Sequence, residues 1–132
     1  MKSEVIETKG ARLWLGEDGI FRSVTKPNAE ISLEQARQLL EAHKKITGSK
    51  KTPVFTDIRM IKSMSRAARV QLAGKEAEKI HSALAILTNS PLNKLFGNLF
   101  MSFNKPRFPT RIFTSEEEAI GWLKGFINKE EF

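Results

Sequence analysis

Apolar residues change period along the chain, and each change marks an element. "EVIET" (4–8) and "ARLWLG" (11–16) alternate as short strands, and "EDG" before "IFRSVT" puts Asp18-Gly19 at a hairpin turn. "KPNAEI" then crosses into a helix. There Leu33, Ala36, Leu39, Leu40, His43 and Ile46 recur at helical spacing behind the capping box Ser32/Gln35, and Gly48 supplies the stop.

"PVFTDI" (53–58) is a compact apolar strand of the kind buried in a parallel sheet, and "RMIKSM" (59–64) is a loop. A second helix is predicted from about Ser65 to about Ile80, followed by the buried strand "SALAILT". Ser90 with Pro91 opens a third helix. In it Leu92, Leu95, Phe96, Leu99, Phe100 and Phe103 form one broad face, most simply laid against a sheet. "TRIFT" is the last strand, and Ser115 with Glu118 caps the last helix.

Three antiparallel strands followed by strand-helix alternation predict right-handed crossovers. The expected fold is α/β: one mixed sheet, antiparallel at its N-terminal side and parallel thereafter, with about four helices, and residues 1–132 form a single domain.

Composition narrows the chemistry. The 132 residues include no cysteine, which suits a reducing compartment and removes thiolate sites. "MKSEVIETKG" has no apolar signal core, and "ALAIL" is far shorter than the roughly 18 residues of a membrane span, so a soluble cytoplasmic protein is expected. His43 and His81 lack metal-ligand spacing and are expected to be packing or surface residues. With no nucleophile motif, phosphate loop or paired carboxylates, neither enzymatic activity nor a cofactor or metal is expected.

The net charge is +7, and Ala42 to Lys75 holds nine Lys or Arg against one acid, Asp57. The topology sorts these groups to two sheet edges. Lys50, Lys51, Lys105 and Arg107 precede strands, whereas Arg59, Lys62, Arg66 and Arg69 follow one. Two patches do not make a duplex-tracking stripe, and nucleic acid is disfavoured as a partner.

The stretches "PVFTDIR" with "SRAAR", "ALAILTNSPLNKLFGNLF" and "KPRFPTRIFTSEEEAIGWL", in this element order over nearly the whole chain, resemble the SpoIIAA-like (STAS/SEC14-like) group of small bacterial proteins. The resemblance implies the fold. It also implies a regulatory, protein-binding role like that of the anti-sigma-factor antagonists, in which a kinase phosphorylates a serine at a helix start after a strand ending in Asp. Asp57, Ser63 and Ser65 stand at the matching positions, although "DIRMIKSMSRAAR" lacks the glycine-bearing D-x-S-x-x-G pattern.

A phosphate at Ser63 or Ser65 would meet a helix N-terminus with Arg66 and Arg69 beside it. Ser65, immediately before a helix, is above all a plain N-cap. Asp57 can pair with Arg59 or Arg66, cap a turn, or act at the sheet's carboxyl edge. Asp57, Arg59, Lys62, Arg66 and Arg69 are therefore candidate anion or partner contacts. The alternative function is binding of a lipid-like or other apolar anion, or a membrane surface. Phe96, Phe100, Phe103 and Phe108 would be its contact face, or else a homodimer face.

Overall fold

The computed structural model describes residues 4–89 and 106–127. Strands β1 (Val5–Glu7), β2 (Ala11–Leu15) and β3 (Phe21–Thr25) form an antiparallel meander. Its second turn closes as the Asp-Gly pair predicts. Gly19 takes φ 84°, Gly16 N donates to Ile20 O at 2.9 Å, and the Arg22 guanidinium clamps both Asp18 carboxylate oxygens at 2.8 and 2.9 Å.

Helix α1 (Leu33–Thr47) starts where Ser32 Oγ accepts from Gln35 N at 3.2 Å. It stops at Gly48, whose left-handed φ of 65° lets its N–H reach Lys44 O. Strands β5 (Thr52–Asp57), β7 (His81–Leu87) and β8 (Thr110–Phe113) then join β3 in parallel, giving the order β1-β2-β3-β5-β7-β8. The last helix, α4 (Glu116–Lys124), begins at Ser115, whose Oγ accepts from Glu118 N.

Each parallel step moves the same way across the sheet, so right-handed crossovers put α1 and α2 (Arg66–Ala73) on one face. Alternation then decides which strand residues they cover. Phe21, Val54, Leu84 and Ile86 join Leu40 and Ala68 in a core on that face, while Phe55, Ala83, Ala85 and Leu87 pack with Ala119 and Leu123 of α4 on the other.

Three expectations are corrected. The second helix breaks at Gly74, which has an extended ψ of −163° and divides α2 from the short α3 (Lys75–Glu78). One glycine suffices because it lacks the backbone entropy advantage of its neighbours in a helix, by about 1 kcal/mol. "KPNAEI" and "RMIKSM" are not plain connections: β4 (Glu30–Ile31) pairs in parallel with β6 (Ser63–Met64) as a second, two-stranded sheet. And Phe108 is not a contact face. It is 8% exposed and stacked on His81, with ring centroids 4.7 Å apart. The expected helix from Ser90, with Phe96, Phe100 and Phe103, lies outside the described residues, as does Lys105.

Candidate functional site

The segment after β5 is strapped down along its length. Asp57 Oδ1 accepts from Arg59 N and Nε, both at 3.0 Å, and Oδ2 accepts from Arg59 Nη2 at 2.7 Å. The carboxylate both caps the turn and makes a two-point ion pair, so its oxygens are committed and an acid-base role loses support. Ile58 and Ile61 are buried anchors, Lys62 N and Ser63 N donate to Ala29 O, and Ser65 N donates to Ile31 O at 3.0 Å. Ser65 is the N-cap of α2, its Oγ accepting from Ala68 N at 3.1 Å.

The sheet separates residues that are neighbours in sequence. Asp57 shares the parity of Phe55 and so belongs to the α4 side, where Glu116 at the start of α4 reinforces the raised pKa that the Asp57 bond gives Arg59. Arg69 lies on the opposite side, half-buried, with Nη1 donating to Met64 O at 2.9 Å. Lys62, Ser65 and Arg66 are exposed between them, and Ser63 is half-buried in its strand pair. The five candidate contacts thus form no single cluster. Nor does the carboxyl edge offer a ligand crevice of the doubly wound kind. Such crevices open where successive crossovers leave in opposite directions, and here they all go one way.

The space instead lies inside, on the face covered by α1 and α2. A cavity of about 90 Å³ runs between sheet and helices. Phe21, Val54 and Leu84 line its deep part. Toward the carboxyl ends of the strands the same parity presents Ser23, Thr25 and Thr56, with Ser23 and Thr56 paired in register across β3 and β5. Arg69 joins them from α2, and no acid occurs among the described lining residues.

Both histidines line this cavity within a column of rings. Phe21 stacks on His43 at 3.9 Å and 7°, His43 meets His81 edge-on at 5.0 Å, and His81 stacks on Phe108. Burial, with repulsion from His81 added, pushes the His43 pKa down to about 2, and burial lowers that of His81 to about 4 against the pull of the Ala77 carbonyl. Since that carbonyl can only accept, the bond of 2.8 Å assigns the proton of neutral His81 to Nδ1. The packing role expected for both residues is what the ring contacts show. Among the described residues no three His, Asp or Glu side chains come together as a metal site.

The column and the hydroxyl group were not foreseen. Their signal was available in "FRSVT" and "PVFTD", where Ser23, Thr25 and Thr56 occupy the positions of the face that also carries Phe21 and Val54. Of the basic groups, exposed Lys50, Lys51 and Arg107 precede the parallel strands β5 and β8 and so share the opposite, amino edge, as expected.

A six-stranded mixed sheet with these crossovers and a returning last helix is a SpoIIAA-like α/β fold. The crystal structure of an uncharacterised DUF3478-family protein with a SpoIIAA-like fold, from Shewanella loihica PV-4, matches 92% of this chain and 91% of its own, with a TM-score of 0.55 and 17% identity. An anti-sigma factor antagonist from Mycobacterium paratuberculosis matches 92% of each chain, with a TM-score of 0.59 and 14% identity. A protein of unknown function from Arthrobacter sp. FB24 is 31% identical over 84% of this chain and 96% of its own, with a TM-score of 0.35. No curated protein matches. The chain belongs to the family of the domain of unknown function DUF7793, whose model matches residues 13–127.

Proposed function

We propose that this protein is a non-enzymatic regulatory module that binds a protein partner through the surface between Arg59 and Val70. The observation that carries this reading is exposure. Among the described residues the exposed large hydrophobic side chains are Val5, Met60 and Val70, and the last two, 56% and 52% exposed, flank Lys62, Ser65 and Arg66. Apolar side chains set among exposed cations suit a partner with an acidic rim and an apolar centre. The fold shared with an anti-sigma factor antagonist supports the same reading.

Ser65 is the better phosphoacceptor of the two serines, being exposed where Ser63 is half-buried. A phosphate there would replace a neutral cap at the start of a helix whose first turn has no acid. The test compares capture of partners from bacterial lysate by wild type, Met60→Ser/Val70→Ser and Val5→Ser. Capture lost only in the double variant supports the surface, and equal capture by all three overturns it. Mass spectrometry of peptide 60–66 after the same incubation decides the switch: an unmodified serine pair removes it and leaves the binding surface intact.

A second reading, an apolar anionic ligand, is favoured by the cavity. Its single formal charge among the described lining residues is the positive charge of Arg69, both histidines being neutral.

A further inference from the structure

We propose that β1 is a self-association edge: a second copy of this chain adds its own β1 antiparallel there, extending the sheet across a two-fold axis at Ile6. The surface shares no residue with the Arg59–Val70 face or with the cavity, so it stands apart from both readings above.

The backbone makes the edge. β1 begins the strand order, and among the described residues β2 is its one strand partner. Thr8 N donates to Ala11 O at 2.9 Å where the two strands turn, and opposed residues of an antiparallel pair alternate in their bonding. Ile6 therefore turns its N–H and C=O toward Leu13, whereas Val5 and Glu7 turn theirs outward. That side is open: Val5 is 55% exposed, and Glu7 is exposed beside it. Outward groups in such a row are a template for another strand.

Symmetry selects the register. Glu7 opposite Glu7 would set like charges directly against each other, and Val5 opposite Val5 would engage only half of the outward groups. Val5 opposite Glu7 engages all of them, and the two-fold axis repeats each contact. The same register puts Ile6 against Ile6 on the face covered by α1, where this side chain already packs at the margin of the core.

Charge selects a second copy as the occupant. The flank of α1 beside β1 borders an open groove with Glu34, Arg37, Gln38, Glu41, Lys44 and Lys45. This stripe has an acid in the first helical turn and two lysines in the last. The axis runs the two helices antiparallel, so the Glu34 end of each faces the Lys44–Lys45 end of the other. Among the described residues Glu34, Arg37 and Lys45 are exposed and have no ion pair within the chain. A stripe that complements its own reverse fits another copy of itself.

The test is sedimentation equilibrium of the full chain from about 10 μM to about 1 mM, a range that captures weak pairing, with amide exchange followed by NMR. The mass should rise from 14.9 kDa toward twice that value. The Val5 and Glu7 amides should gain protection with concentration, while that of Ile6, bonded already to β2, changes little. Val5→Pro deletes an outward N–H without touching a bond to β2, and should weaken association about tenfold or more, since each copy loses a bond. Glu34→Lys and Lys45→Glu should each weaken association and the double reversal restore it, a recovery that damage to the fold would not show. A chain still monomeric at about 1 mM overturns the proposal. A dimer that Val5→Pro leaves intact overturns β1 as the edge and places the second copy on another surface. Indifference to the single reversals, or no recovery in the double one, overturns the antiparallel helix pairing and the register with it.

Discussion

On the side covered by α4, the strands offer Ala83 and Ala85 at the centre, and the helix comes down with Ala119 and Leu123 fully buried among Phe55, Leu87 and Phe113. On the side covered by α1 and α2, the same sheet offers Ser23, Thr25, Thr56 and His81, and the helices add His43 and Arg69 around a cavity. The α4 side has small residues where a helix must approach and large ones around them, which is how a close-packed interior is made. The other side has polar atoms and space, neither of which stability alone would select. Close packing and packing around a cavity thus fall on opposite faces of one sheet.

Acid should separate the faces most strongly. The folded pKa values of His43 and His81, about 2 and about 4, lie below the ordinary histidine value of 6.5, so the unfolded chain binds more protons between these limits. For such depressed bases the stability is full above pH 6.5 and is lost as the pH falls toward the folded values. From pH 7 to pH 4.5 the two together should remove on the order of 4 kcal/mol, read from urea midpoints. Carboxylates held low by cations, such as Asp18 by Arg22, add their own loss only at lower pH. Replacing both histidines with leucine should flatten the profile above pH 4.5. An undiminished slope in that variant would place the titrating groups elsewhere and dissolve the contrast between the faces.

How much of this was legible in the sequence follows from the range of each interaction. Capping boxes at Ser32 and Ser115, the Asp-Gly turn and the strand-helix alternation are local signals, and the elements they mark are observed. Fold class follows from their order, because handedness leaves few ways to connect them. The Asp57–Arg59 pair is two residues apart and was among the options that spacing allowed. What could not be read was contact across the sheet. His43 and His81 are 38 positions apart and meet only because α1 and β7 bring them together, and Phe108 completes the column from beyond β7. The strand pair of β4 and β6 also depends on distant backbone, two residues on each side having no propensity signature. Charge misled in one respect: Arg59, Lys62, Arg66 and Arg69 are close in sequence, yet a sheet lies between Arg69 and the Asp57 side.

Truncation measures the packing difference directly. Leu123→Ala removes a fully buried side chain packed among Phe55, Leu87 and Phe113 and should cost about 3 kcal/mol in urea denaturation. Leu39→Ala, at the margin of the existing cavity, should cost roughly half of that, since part of its surroundings is already empty. Equal losses would mean that both faces are packed alike and that the cavity is not a persistent feature in solution.

The smallest effect is the most specific, because its sign differs between two threonines. Thr47 Oγ1 donates to His43 O at 2.9 Å within α1, so Thr47→Val removes a buried bond and should cost about 1 kcal/mol. Thr25→Val exchanges a cavity hydroxyl for a methyl group of the same shape. With no ligand present it should leave stability unchanged or raise it by about 0.5 kcal/mol, since an inward hydroxyl without a protein acceptor gains nothing from folding. A loss as large as that of Thr47→Val would mean instead that Thr25 is held by a structural bond, and the polar end of the cavity would then belong to the scaffold.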